Sequence, residues 1–194
     1  MTRLNPATYL GVDMIPGSNV DEVCGAEELC SRYGEGTFDI LICTEVLEHL
    51  QNWRAVINNF KRVVKPGGYV VITTRSHGFG LHAYPYDFWR WEVGDMYAVF
   101  KDFKIIAVEK DSIAPGVFLF AQHPLNWQPL ELKDIAIYST VCFRRISDIP
   151  QTVQPSGFRW LLRRAYYIFL SQGLRVILFK SMRAACSVIF HLDD

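Results

Sequence analysis

Short apolar runs alternate along this chain with stretches in which apolar residues recur at helical spacing. The clearest example lies between residues 38 and 74, where an apolar run at 38–44 and another at 69–74 flank apolar positions spaced three or four apart. Uninterrupted apolar runs are typical of parallel strands covered on both faces, and the intervening spacing predicts a helix. We therefore predict a β-α-β unit, with Gly67 and Gly68 ending the helix before the second strand.

The same criteria predict further elements on both sides of this unit. They are a strand at 8–12, a minor strand at 20–24, an acidic helix at 26–33, a loop at 75–91, a helix at 92–100, and strands at 103–109 and 117–122. Turn residues separate the last two strands, which predicts an antiparallel pair at a sheet edge. Strands that alternate with helices indicate an α/β fold.

Composition sets the domain organisation. The 194 residues, half of them hydrophobic, suffice for one domain with an appendage. A formal net charge of zero argues against a nucleic-acid partner. Residues 1–150 carry 14 Lys/Arg against 18 Asp/Glu, whereas residues 151–194 carry six against two. We predict an α/β domain at 1–123, a proline-punctuated linker at 124–157 and a basic amphipathic helical tail at 158–194.

The tail contains no uninterrupted apolar run approaching the roughly 20 residues that span a bilayer. Basic helices with aromatic faces lie in membrane interfaces, so peripheral membrane contact through 158–190 is one hypothesis. Packing as a helical pair on the domain or on a partner subunit is the alternative. Five scattered cysteines without a C-x-x-C spacing, and no signal peptide, indicate reduced thiols and a cytoplasmic location.

Four polar residues, Thr44, Glu45, Glu48 and His49, follow the first strand of the β-α-β unit. In open α/β sheets, ligands bind at this carboxyl edge. A helix would place Glu45, Glu48 and His49 on one face, because their spacing is i, i+3, i+4. Two carboxylates and an imidazole can hold a divalent ion; alternatively, they cap or brace the helix.

The motif F-D, apolar run, E-V-L-E-H-L, followed about fifteen residues later by K-P-G-G and an apolar strand, resembles the class I S-adenosylmethionine-dependent methyltransferases. The resemblance is greatest to the small-molecule group labelled type 11, and residues 9–122 fit the family from its second strand to its seventh. It implies a Rossmann-like sheet and methyl transfer to a small-molecule or glycan-type acceptor. The family's first strand, the glycine-rich loop after it and the helix that follows have no counterpart here, so we expect an amino-terminally truncated sheet.

The resemblance also implies residues that bind S-adenosylmethionine. Asp13 stands where the family binds the ribose hydroxyls, although an aspartate here also initiates turns. Ala26 and Glu27 match the adenine-binding segment, in which Gly25 replaces the usual aspartate. Thr44 and Glu45 would lie over the sulfonium and the acceptor.

On the acceptor side, the 75–91 loop supplies candidates for a general base: His77, His82 and Asp87. Its aromatic residues either stack on the acceptor or close the core. The E-x-x-E-H spacing of Glu45, Glu48 and His49 resembles a metal-binding motif of methyltransferases that act on RNA 2′-hydroxyls and ubiquinone precursors. A further ligand would come from this loop, with Asp87 and His82 as candidates.

Three hypotheses follow. The chain is a fragment of an active methyltransferase, or a non-catalytic binding or scaffold module whose sheet an oligomer or partner completes, or a different nucleotide-binding α/β enzyme. The last would need the same missing glycine-rich loop. We favour the first, because Asp13, Ala26, Glu27, Glu45 and the 75–91 loop are retained.

Overall fold

The computed structural model describes residues 8–82 and 86–150, together with residues 161, 162, 165, 166 and 169. Nine strands and three α-helices lie within these residues. In chain order they are β1 (Val12–Asp13), β2 (Glu22–Val23), α1 (Leu29–Tyr33), β3 (Phe38–Thr44), α2 (Trp53–Val63), β4 (Val64–Arg75), β5 (Trp89–Arg90), α3 (Val93–Val99), β6 (Lys104–Lys110), β7 (Gly116–Gln122), β8 (Ile137–Ser139) and β9 (Arg144–Ile146). Short 3₁₀ turns occupy Ala26–Glu28 and Leu47–His49.

The main sheet has the strand order β3-β4-β7-β6. β3 and β4 are parallel, with Leu41 opposite Val70, whereas β7 runs antiparallel to both β4 and β6. The β-α-β unit and the antiparallel pair predicted from the sequence are both confirmed. So is the α/β class, because a mixed sheet is covered on one face by helices.

One face of this sheet belongs to the hydrophobic core. Buried side chains alternate along β3, β4 and β7, as the two-residue period of a strand requires. The apolar side chains of α2, whose spacing predicted the helix, point into this core. The first turn of α2 is capped by Asn52, whose side chain accepts a hydrogen bond from the Ala55 amide. The core side chains of α2 are Trp53, Val56, Ile57, Phe60 and Val63.

The opposite face of the sheet is open within the described residues. Ile40 and Ile42 on β3 and Phe118 and Phe120 on β7 are large, apolar and exposed. β3 is an edge strand of the described sheet, and β1 pairs with β2 in a separate two-stranded parallel sheet. Strands of a parallel sheet normally pack on both faces. The expectation that this sheet lacks the family's first strand stays a prediction.

Two expectations from the sequence need correction. The single helix expected between the strands of the β-α-β unit divides into the 3₁₀ turn Leu47–His49 and α2, because Leu50 adopts an extended conformation. Residues 124–150 are not a linker, since β8 pairs with β5 and with β9, and Leu132, Ile137, Val141 and Ile149 are buried. Prolines punctuate this stretch, but the apolar residues between them complete the core.

The Arg54 side chain ties residues 132–148 to α2. Its guanidinium donates hydrogen bonds to the carbonyls of Leu132, Ile135 and Ser147 and forms an ion pair with Asp148. Residues 151–157 of the predicted linker and most of the predicted tail lie outside the described residues. No helix among the residues described here is long and apolar enough to cross a membrane.

Candidate active site

The turn after β3 directs Glu48 into the protein. Glu45 has a positive φ of 58°, a backbone conformation that costs free energy for any residue except glycine. The 3₁₀ turn that follows buries Glu48 completely. Its Oε2 accepts a hydrogen bond of 2.7 Å from Thr74 Oγ1 at the end of β4, whereas its Oε1 has no hydrogen-bond partner among the described residues.

Two histidines face that unpartnered oxygen. The Nε2 atom of His49 lies 3.9 Å from Glu48 Oε1, and the Nε2 atom of His82 lies 3.6 Å from it. One ligand atom from each of the three residues falls within 4.8 Å of the others. The structure therefore brings together two residues of the predicted E-x-x-E-H motif and one from the following loop.

A neighbouring acceptor orients the His49 imidazole. His49 Nδ1 lies 2.5 Å from the Tyr86 carbonyl oxygen and must donate to it, because a carbonyl only accepts. A proton held at Nδ1 leaves the Nε2 lone pair of His49 available, and second-layer contacts of this kind fix metal-binding histidines. His82 Nδ1 lies 3.3 Å from Asp87 Oδ2 but has no hydrogen-bond partner among the described residues.

Asp87 is buried, and both of its carboxylate oxygens accept hydrogen bonds. Arg90, itself buried, forms a two-pronged ion pair with it, from Nη1 to Oδ1 at 2.5 Å and from Nη2 to Oδ2 at 2.8 Å. The His82 amide donates to Oδ2 as well. Both oxygens of Asp87 accept hydrogen bonds from neighbours, which does not favour a general base, and the role of Asp87 as a general base stays a prediction. Its hydrogen bond from the His82 amide attaches the backbone of His82 to this ion pair.

His77 and Glu45, predicted to lie near the methyl acceptor, do not belong to the cluster of Glu48, His49 and His82. The ring of the exposed His77 packs against Tyr138 at a tilt of 45°, with centroids 4.9 Å apart, and the His77 amide donates to the Glu92 carboxylate. Glu45 accepts a hydrogen bond from Thr73 Oγ1 and forms an ion pair with Arg75. Glu45 therefore does not share a helical face with Glu48, because its positive φ breaks the helix that the spacing predicted.

The residues predicted to bind the methyl donor lie on β1, in the first 3₁₀ turn and at the end of β3. Asp13 is exposed at the end of β1, and its Oδ1 accepts a hydrogen bond from the Ile15 amide, as in a turn-initiating aspartate. Ala26 and Glu27 lie in the first 3₁₀ turn, where their carbonyls accept from Asn59 Nδ2. Thr44 is exposed at the end of β3 in the main sheet. Their role in binding a cofactor stays a prediction.

Electrostatics exclude a cysteine nucleophile at this end of β3. Burial raises the pKa of Cys43 to about 12, and the carboxylates of Glu48 and Glu45 add to the rise. The thiol is therefore protonated at neutral pH and inert as a nucleophile.

Sequence analysis missed the supporting roles of Thr74 and Arg90. The available signal was the arginine between two tryptophans in Trp89-Arg90-Trp91, because a buried arginine requires a carboxylate partner. No local pattern distinguished Thr74 from the other threonine of its strand.

Comparison with known proteins shows the family of the chain. The family model described as a methyltransferase domain matches residues 3–165. The ubiquinone biosynthesis O-methyltransferases of Paraburkholderia xenovorans and Dechloromonas aromatica are 41% and 42% identical to this chain over 59 residues, which is 30% of this chain and 25% of each relative. The chain thus matches about a quarter of the length of these curated relatives.

Solved structures are similar at low identity. An S-adenosylmethionine-dependent methyltransferase of Mesorhizobium loti is 15% identical, with 59% of this chain and 80% of that chain covered at a TM-score of 0.46. The 1,6-didemethyltoxoflavin-N1-methyltransferase of Burkholderia thailandensis, solved with S-adenosylhomocysteine, is 13% identical, with 58% and 60% covered at a TM-score of 0.44. The family model, which spans most of the sequence, is decisive: the chain belongs to the methyltransferase-domain family.

Proposed function

We propose that this chain contributes to the transfer of a methyl group from S-adenosylmethionine to a hydroxyl of a small-molecule acceptor, next to a divalent cation bound by Glu48, His49 and His82. The observation that carries the proposal is the convergence of these three side chains at the carboxyl end of β3. S-adenosylmethionine is the donor that the family implies. The partial match to ubiquinone biosynthesis O-methyltransferases supports a hydroxyl acceptor.

The residues of the cluster fit a cation. A buried carboxylate oxygen without a hydrogen-bond partner costs free energy, and a cation ligated by that oxygen removes the cost. Carboxylate and imidazole ligands together suit first-row divalent metals. Three protein ligands also leave coordination positions open, as catalytic sites require and structural sites do not.

A divalent cation at this position would lower the pKa of a nearby acceptor hydroxyl. The remaining work falls to the chain's own residues. The Tyr86 carbonyl keeps the Nδ1 proton of His49 in place, Asp87 accepts from the His82 amide, and Thr74 fixes one oxygen of Glu48. Methyl transfer depends mainly on alignment of the acceptor with the methyl group, so a rigid cluster of this kind serves positioning as well as ionisation. Small molecules with phenolic hydroxyls and glycan-type acceptors both offer a suitable group.

The metal site is tested by calorimetric titration of the full chain with Mn²⁺. We expect Glu48→Gln and His82→Ala to weaken binding at least about tenfold, in the range seen when metal ligands or their supports are altered. Glu28→Gln, which changes an exposed carboxylate distant in sequence, serves as the matched control and should bind like the wild type. Equal Mn²⁺ affinity in all four proteins would overturn the metal site.

A second candidate is a non-catalytic, methyltransferase-like binding module completed by a partner. It is favoured by the separate β1-β2 sheet and by Asp13, whose side chain is engaged in its own turn. Titration with S-adenosylmethionine, with and without Mn²⁺, separates the two. Saturable binding supports the enzyme, and no heat at high ligand concentration means that this chain does not bind the donor alone.

A further inference from the structure

A row of apolar side chains near the carboxyl end of the chain is exposed in helical conformation. Leu161, Leu162, Tyr166 and Phe169 are between 47% and 55% exposed. Their positions, i, i+1, i+5 and i+8, fall on one side of a helix with 3.6 residues per turn. Four large apolar side chains on one helix face form a contiguous patch. These four residues are called the apolar patch below.

The apolar patch adjoins the body of the protein at β8 and β9. The Tyr166 ring packs edge-on against Phe143, which lies between these strands, with centroids 5.6 Å apart. Tyr138 on β8 has a raised pKa, first because of burial and then because of Tyr166 nearby. The ring of His77, from the 75–91 loop, packs against Tyr138 at a tilt of 45°. The patch is therefore attached next to a strand that contacts this loop.

The charge of the surrounding sequence points to the nature of the partner. Residues 151–194 carry six Lys/Arg and two Asp/Glu, whereas residues 1–150 carry an acidic excess. Basic residues near an anionic membrane surface are attracted to it electrostatically. Binding of an apolar partner alone does not require this excess of basic residues. An anionic bilayer interacts favourably with both the apolar patch and the basic residues.

We propose that the apolar patch inserts into the interface of an anionic lipid bilayer, so that the chain binds the membrane surface peripherally. This inference is independent of catalysis. Combined with the proposed function, it predicts an acceptor that partitions into the membrane, because anchoring at β8 and β9 places the 75–91 loop next to the lipid surface.

The test is sedimentation of the full chain with vesicles of phosphatidylcholine, with or without phosphatidylglycerol. We expect binding to the phosphatidylglycerol vesicles that weakens at high salt, and at least about tenfold less binding to pure phosphatidylcholine. The double variant Leu162→Glu/Phe169→Glu should lose at least about tenfold in affinity for anionic vesicles. Ile113→Glu is the matched control, because Ile113 is 94% exposed in the turn between β6 and β7, outside the patch.

Three results would overturn the proposal. The first is the absence of binding to anionic vesicles, and the second is an equal loss of binding in the Ile113→Glu control. The third is a wild-type dimer, detected by light scattering, that becomes a monomer in the Leu162→Glu/Phe169→Glu variant without any lipid effect. The apolar patch would then be an interface between subunits.

Discussion

Glu48 shows how one side chain acquires chemistry from its neighbours. One carboxylate oxygen is satisfied by Thr74, and the other is buried without a partner opposite two imidazole nitrogens. The Tyr86 carbonyl accepts from the opposite nitrogen of the His49 ring, and Asp87 accepts from the His82 amide. The site therefore depends also on residues that do not face it.

For these individual residues, we predict that Asp87→Asn and His82→Ala differ in their effect on stability. Asp87→Asn should lower Mn²⁺ affinity about 10- to 100-fold, because His82 loses its support. It should also lower the free energy of unfolding by about 3–5 kcal/mol, because the charge of buried Arg90 loses its partner. His82→Ala should lower Mn²⁺ affinity but change stability by less than about 1 kcal/mol, since its side chain is 34% exposed.

Calorimetry and guanidinium denaturation measure the two quantities on the same samples. Wild-type Mn²⁺ affinity in a folded Asp87→Asn protein would contradict the positioning role. An unchanged free energy of unfolding would contradict the structural role of the ion pair with Arg90.

Among the elements, α2 is attached to α3 by a buried ion pair. Lys61 Nζ lies 2.6 Å from Asp102 Oδ1 and donates to the carbonyl of Val99, the last residue of α3. Burial lowers the pKa of Lys61, and the contact with Asp102 opposes this change. A cation at the carboxyl end of a helix is also favoured by the helix dipole. The pair therefore fixes the position of α2 relative to α3.

We predict that Lys61→Ala lowers the free energy of unfolding by about 3–5 kcal/mol, because it leaves the Asp102 carboxylate buried without its cation. Lys65→Ala is the matched control. It removes an ion pair with Asp39 in which both side chains are exposed, so its effect should stay below about 1 kcal/mol. Denaturant titration followed by circular dichroism measures both. Similar losses in the free energy of unfolding of the two variants would show that the buried Lys61–Asp102 ion pair stabilises the fold no more than the exposed Lys65–Asp39 pair.

For the whole molecule, the asymmetry of the sheet is the main feature. Its inner face is buried under α2 and α3, and its outer face presents Ile40, Ile42, Phe118 and Phe120 to solvent within the described residues. Edge strands with exposed apolar residues are prone to pair with other chains. Whether a further polypeptide covers this face in solution is open to direct measurement.

A comparison of Ile42→Ala with Ile72→Ala provides that measurement. Ile42 is 56% exposed, so its truncation should change the free energy of unfolding by less than about 0.5 kcal/mol. Ile72 on β4 is fully buried, and its truncation should cost about 2–5 kcal/mol through lost burial and a cavity. If Ile42→Ala proved as costly as Ile72→Ala, the outer face would be covered in solution, as expected for a sheet completed by a partner.

The parts of the fold that sequence analysis predicted are those governed by local periodicity. The β-α-β unit, the helix over Val93–Val99 and the antiparallel pair β6-β7 follow from spacing and turn residues that lie within a few positions of each other. Residues 124–150 were predicted as a linker because their prolines dominate the local pattern. Their burial depends on strand pairing with β5, some 50 residues earlier in the chain.

The sequence by itself determined the resemblance to the family, the β-α-β unit of β3 and β4, and the position of Glu48 and His49 directly after β3. Motif spacing and hydrophobic periodicity are properties of neighbouring residues, and they suffice for these conclusions. Only the tertiary structure decided that His82 joins the cluster and that Glu45 turns away to Arg75. These outcomes depend on one positive φ angle and on contacts between residues more than 25 positions apart, which no local pattern encodes.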